Sequence, residues 1–299
     1  MERIGHIFER ICTLDNLIEA DQEARKNKKH KGIYPYGIRV FDKRNVDNCL
    51  LKDLLWTLET ETYENTPYKV ERRKTDKKWR NLYKVNYYPT HILHHAIMRI
   101  IKPYLINRMK VNTFAGIEKR GTTQAANKLK EYLKDREGTK YFLQEDVTKF
   151  YPTIDQDVAL ELLSRVFKDK KFIRLMDKVL HHTPEGLQIG FYTSQLIANY
   201  MYTIVDRVIV DDIKAKYYVR FCDDMIVLHH DKYFLQRVHE AIKDTVENTF
   251  HQKLHDNYII SRVGYELKND TGRKRKRGSK GKKYRFSRIQ VYTRQSIVA

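Results

Sequence analysis

The sequence predicts an α+β fold in which carboxylates meet at one edge of a sheet. Two apolar, strand-like runs each carry acids, one around residues 141–147 ahead of DVTKFYPTID and the other in YVRFCDDMIVL (218–228). Helical apolar spacing fills the stretches between and after them. With 41% hydrophobic content over 299 residues, the chain can build a core for one large or two modest domains.

The elements follow in order. MERIGHIFERICTLDNL is amphipathic and gives a first short helix, and the polar, basic 21–32 reads as a connector. From Val46 to Tyr63, Leu50, Leu51, Leu54, Leu55 and Leu58 keep helical spacing, and 77–85 alternates like a strand. Residues 90–109 form a helix kinked or broken at Pro103. The strand 141–147 ends near Asp146, and Asp155 caps a helix with Val158, Leu162, Leu163 and Val166 on its inner face. After a glycine-containing loop at 184–190, Thr193 or Ser194 caps a helix that turns Ile197, Met201, Ile204, Val205 and Val208 inward. Strands 217–222 and 225–229 join as a hairpin at Asp223 and Asp224, and a helix covers 232–250.

Charge narrows the partner. Lys and Arg number 58 against 38 acids, a net +20 that suits a polyanion, and 21 tyrosines among the basic residues offer faces for unpaired bases. The tail from Lys268 holds twelve basic residues against Asp270, with Arg273, Lys274, Arg275, Lys276 and Arg277 in one run suited to phosphate. Cys12, Cys49 and Cys222 are isolated, so neither a zinc motif nor a disulfide framework is indicated. No run approaches a membrane span or a signal core, and the chain reads as soluble and cytoplasmic.

Carboxylates crowded on a buried strand need a cation, because like charges so close cannot all stay ionised unpaired. Mg²⁺ is the hard, oxygen-seeking candidate, with Mn²⁺ as its substitute. Two such ions about 3.5–4 Å apart serve polymerases by activating a hydroxyl and stabilising departing pyrophosphate. A lone pair of acids in a hairpin is more often a plain turn; the surrounding order of motifs makes it chemical. The pairs His94-His95, His181-His182 and His229-His230 read as structural or surface residues, since neighbouring side chains point apart.

Over about residues 40–267 these motifs resemble a reverse transcriptase. Asp146 with Phe150 and Tyr151 is similar to motif A, where the aromatic closes the sugar pocket, and FCDD (221–224) is similar to the YxDD of motif C. GLQIGFYTSQLIAN (186–199) resembles motif B, but with Ile189-Gly190 and Ser194-Gln195 it has the IGxxxSQ form of diversity-generating retroelement enzymes. In that family this form accompanies error-prone copying of template adenines; a branched apolar residue in place of an amide removes hydrogen bonds that fix geometry.

The resemblance implies a right-hand polymerase fold with an antiparallel palm sheet packed on helices and a reduced basic thumb. The divisions would be 1–32 (helix and connector), 33–135 (fingers), 136–267 (palm) and 268–299 (basic segment). It implies metal binding by Asp146, Val147, Asp223 and Asp224, with Lys253 of HQK (251–253) as acid. Arg80, with Arg73 or Lys74 upstream, would hold the triphosphate, with Phe150, Tyr151, Ile189, Gly190 and Gln195 at the nucleotide. Lys119 and Arg120 would touch phosphate, and Val263, Gly264 and Tyr265 would support the primer.

The implied partners are an RNA template, a DNA primer, deoxynucleoside triphosphates and a small basic helical accessory protein, in a bacterium or its phage. An antiphage-type bacterial reverse transcriptase and a non-catalytic RNA-binding scaffold are the alternatives.

Overall fold

A computed structural model describes residues 2–75 and 78–264 and the backbone of four short strands beyond them, with the side chains of 75 and 78 outside the description. The helices are α1 (Ile7–Ile11), α2 (Leu14–Ala24), α3 (Tyr36–Arg44), α4 (Cys49–Glu59), α5 (Ile92–Ile106), α6 (Thr122–Tyr132), α7 (Gln156–Val166), α8 (Lys170–Leu180), α9 (Ser194–Met201), α10 (Thr203–Arg207) and α11 (Lys232–Phe250). The strands are β1 (Tyr68–Thr75), β2 (Lys78–Val85), β3 (Thr113–Phe114), β4 (Tyr141–Glu145), β5 (Tyr217–Phe221), β6 (Asp224–His229) and β7 (Ile259–Arg262). The remaining four are two-residue strands, β8 (Leu267–Lys268), β9 (Lys274–Arg275), β10 (Arg285–Phe286) and β11 (Ile289–Gln290). Among the described residues no helix is long and apolar enough to cross a membrane.

The chain divides into two compact units. The first comprises Met1–Asn107 and Ile154–Ala198. It is helical apart from the β1–β2 hairpin, and the starts of α2, α7 and α8 are fixed by side-chain caps. Asp155 accepts from the amides of Asp157 and Val158 at the head of α7, and Asp169 accepts from Phe172 at the head of α8. Thr13 caps α2, which continues to Ala24, so the expected connector over 21–32 begins only after that helix has used its first four residues. The helix at 92–106 runs through Pro103, where a break or kink was expected; the proline removes one hydrogen bond near the end of a helix whose apolar face is already buried.

The second unit comprises Arg108–Thr153 and Asn199–Ala299 and is built on a five-stranded sheet of order β3-β5-β6-β4-β7. The pairs β5–β6, β6–β4 and β4–β7 are antiparallel, and only the two-residue edge strand β3 runs parallel to its neighbour. One side of the sheet packs on α6 through Phe142, Tyr217, Val219, Ile226, Leu228, Ala125 and Leu129. Covered strands carry apolar residues on both faces, so β6 is buried at every position except His229. The helix expected after Ser194 is interrupted at Tyr202, giving α9 and α10. Ile197, Met201 and Val205 are buried as expected, while Ile204 and Val208 are half-buried.

Candidate active site

The register of β5 with β6 pairs Phe221 with Asp224, which leaves Cys222 and Asp223 as a two-residue turn. Cys222 takes φ +58°, the left-handed conformation such turns require and one that a cysteine adopts only under constraint. Asp224 opens the central strand and is buried. On the neighbouring strand Glu145 pairs with Met225, so Asp146 follows at the end of β4 nearest the turn. Asp146 Oδ1 accepts from the Val147 amide at 2.9 Å, and its carbonyl accepts from the His255 amide at 2.8 Å.

These acids bear on one another. The Asp223 carboxyl is held well above the usual carboxylate range, first by burial and then by Asp146 and Asp224. The main opposing influence is a backbone N–H. A shielded, all-oxygen donor set with excess negative charge fits a hard divalent cation. Among the described residues no three His, Cys, Asp or Glu side chains are already gathered around one ion-binding point, so the Asp146–Asp223 pair is what the fold brings together unaided.

A buried network sets the turn. Arg220, on β5, has no exposed surface and forks onto Asp206 with Nε–Oδ1 and Nη2–Oδ2 distances of 2.7 Å. Asp206 also accepts from Tyr218 Oη (2.7 Å) and Thr113 Oγ1 (2.8 Å). The remaining guanidinium protons go to Asn199 and to the Cys222 carbonyl, at 3.0 Å, inside the turn itself. Behind the acids, Gln252 donates to the Phe150 carbonyl and Thr153 Oγ1 and accepts from Tyr202 Oη, all within 2.9 Å. Phe150 is buried against Tyr202, while Tyr151 is half-buried with its hydroxyl 3.3 Å from Cys222 Sγ.

The first unit holds the second group of expected residues. The Tyr83 amide of β2 donates to the Ile189 carbonyl at 2.8 Å. Gly190 sits at φ +113°, and a Cβ there would lie 2.2 Å from the Tyr83 carbonyl oxygen. No side chain fits that approach. Gly190→Ala is expected to destabilise the first unit by about 1–3 kcal/mol, read as a lowered urea midpoint, because both the backbone conformation and the strand contact are lost.

A family model described as "Reverse transcriptase (RNA-dependent DNA polymerase)" matches residues 72–255, more than half of the sequence and a span that includes Asp146, Asp206, Asp223 and Asp224. The chain belongs to the reverse transcriptase family. Reverse transcriptases are RNA-dependent DNA polymerases, hence nucleotidyltransferases, and use divalent metal ions. No curated protein gives a match to this sequence.

Among solved structures, this reverse transcriptase is similar to telomerase from Candida albicans in complex with a TWJ fragment of telomeric RNA. There the TM-score is 0.53 at 11% identity, over 77% of this chain and 44% of that one. Two structures of apo telomerase from Candida tropicalis are also similar. One, truncated from its C-terminal domain, gives 0.50 at 12% identity over 80% and 57% of the two chains. The other gives 0.51 at 11% identity over 79% and 48%. The chain spans about half the length of these telomerases, and at such identity the likeness is one of fold. The sheet flanked by helices is consistent with the right-hand polymerase fold.

The other expected residues of this reverse transcriptase fall at several places. Lys253 is exposed, and its carbonyl accepts from the Thr148 amide, two residues beyond Asp146. Arg80 is exposed on β2 directly opposite Arg73, whereas Lys74 pairs with Trp79 and so falls on the other face of the hairpin. Lys119 is exposed in a turn at φ +61°, and Arg120 bonds the Lys110 carbonyl. Gln195 is exposed and Ile189 half-buried. Val263 is buried in the sheet core, and Gly264 follows it. Tyr265, Arg273, Lys276 and Arg277 lie outside the described residues, as do the side chains of Lys274 and Arg275. His94 is buried against Phe191 and His95 stacks on Tyr192 at 3.9 Å, so each packs on its own aromatic neighbour.

Proposed function

We propose that this reverse transcriptase copies an RNA template into DNA and is the error-prone enzyme of a diversity-generating retroelement. The observation that carries the polymerase reading is the paired Asp146 and Asp223, held at the end of the sheet so that Asp146, with Asp224, raises the buried Asp223 carboxyl. Mg²⁺ would be held by Asp146 and Asp223, with Asp224 and the Val147 carbonyl as further donors, and when bound would supply Lewis-acid stabilisation of the phosphoryl group.

The chain's own residues do the positioning. Tyr151, beside the Asp223 turn, closes the sugar side of the nucleotide where a 2′-hydroxyl would stand. Lys253, on the segment that pairs with residues 147–148, delivers its proton to the leaving pyrophosphate. Arg80 has no acid partner among the described residues and supplies a guanidinium for the triphosphate.

The retroelement reading rests on Ile189, Gly190, Ser194 and Gln195. Ile189 gives its carbonyl to Tyr83, and its side chain has no group to bond a base or sugar. By the same resemblance a noncoding repeat RNA is the template and a small basic helical protein the companion.

The test is Mg²⁺-dependent deoxynucleotide incorporation on a defined RNA template, with Asp223→Asn as blank and the products sequenced. Errors concentrated opposite adenine are expected. Ile189→Gln should lower them about tenfold, the ratio given by one hydrogen bond of about 1.4 kcal/mol. Accurate copying by the parent chain would remove the retroelement assignment and leave the polymerase.

A further inference from the structure

The β1–β2 hairpin has two unlike faces. Directly paired strand residues share a face and alternate residues return to it, so the register sorts the side chains. One face carries Lys69, Glu71, Arg73, Arg80 and Lys84, and Glu71 there is bonded by Arg73 and Lys84. The other carries Val70, Arg72, Lys74, Trp79 and Asn81, with no acid among them. Trp79 is 60% exposed and Val70 51%. The Arg72 guanidinium lies over the indole, 5.2 Å from its centroid. Among the described residues neither Arg72 nor Lys74 has an acid partner.

The base of this same face is anchored. Tyr68 and Tyr83 pack on Phe191 with ring centroids 6.4 and 6.3 Å away, and Tyr83 is joined to Ile189 through the backbone. The outer half of the face therefore stands on a fixed base that leads into the IGxxxSQ segment. A large indole kept in water beside two cations with no acid partner among the described residues is a recognition surface, and a described face without acids selects a polyanion.

We infer that this face is a stacking platform for an unpaired nucleic-acid strand, with one base on Trp79 and the adjoining phosphates on Arg72 and Lys74. An indole stacks on any base, and a duplex cannot offer its bases because they are already stacked on one another. The identity of the polymer rests on the reverse transcriptase reading; the stacking geometry does not.

Trp56 and Trp79 are the two tryptophans of the chain, and Trp56 is exposed on α4, so Trp56→Phe leaves Trp79 as the sole indole reporter. That variant is titrated, without Mg²⁺ or nucleotides, with oligo(U), oligo(dT), a blunt RNA duplex and heparin. Both single strands should quench Trp79 emission, more weakly as salt rises, while duplex and heparin leave it unchanged. Tighter binding of oligo(U) would name the template as occupant and tighter binding of oligo(dT) the DNA strand, and either upholds the platform.

In the otherwise intact chain, Trp79→Ala should weaken single-strand binding about tenfold, and Trp79→Tyr should stay within about twofold of the parent. Unquenched emission with a strand bound, equal quenching by heparin, or undiminished binding by Trp79→Ala overturns the platform. Primer extension measured in parallel reports on the polymerase reading separately, so the two can fail independently.

Discussion

Asp223→Asn is expected to abolish deoxynucleotide incorporation, by about a thousandfold or more, while raising thermal stability at neutral and higher pH. The first effect follows from removing an anionic donor from a pair that needs a cation to be used. The second follows from the state of that carboxyl. An acid whose pKa is raised on folding favours its protonated form in the native chain, so its ionisation costs stability as pH climbs from the unfolded value through the folded one. Asparagine carries no such cost. A gain of ~1 kcal/mol would move the midpoint by about 2 °C in a chain of this size, present at pH 8 and absent at pH 4.

Divalent cation reverses the comparison. Mg²⁺ that binds only the folded parent stabilises it by RT ln(1 + [Mg²⁺]/Kd), so the parent midpoint rises with Mg²⁺ and that of Asp223→Asn stays flat. Calorimetry on the two chains with and without Mg²⁺ checks both signs. A variant that melts below its parent at pH 8 without metal would show that Asp223 is paired by something other than its fellow acids.

Much of the second unit could be read from sequence because its signals are local. The apolar run of β6, the acids at the hairpin and the periodicity of 232–250 each depend on near neighbours, and the helix falls where its spacing puts it. Strand β1 was not anticipated. Its eight residues, YKVERRKT, are mostly polar, and it exists because every position pairs with β2. The break at Tyr202 likewise has a tertiary cause, since the buried Tyr202 hydroxyl bonds Gln252, fifty residues away.

Gln156 is the first residue of α7, and its side chain donates to the carbonyls of Leu180, Thr183 and Gly186 and so holds the loop before Ile189, a role its place in the sequence does not show. Arg220 could have been suspected. An arginine within YYVRF, a run otherwise apolar, must find an acid once the strand is covered, though sequence alone does not say that the acid is Asp206.

That pairing gives the largest stability effect expected of a single change. Arg220→Met leaves the Asp206 carboxylate buried with only the hydroxyls of Tyr218 and Thr113, and breaking such a pair costs about 3–5 kcal/mol. Loss should appear as a fall of roughly 10 °C in the thermal midpoint. Arg220→Lys keeps the charge but lacks the planar fork, and the three protons of an ammonium cannot replace the five bonds to Asp206, Asn199 and the Cys222 carbonyl, so a partial loss is expected. Removing both charges in Arg220→Met with Asp206→Leu should restore most of the stability, since an apolar pair of similar volume packs without desolvated charge. The double variant then isolates the second role of the network. Arg220 is the described side chain that grips the carbonyl between Phe221 and Asp223, so a well-folded double variant should extend primers more slowly with its KM for nucleotide little changed. A double variant as fast as the parent would make the network a matter of stability alone and leave the Cys222–Asp223 turn to be set by its strands.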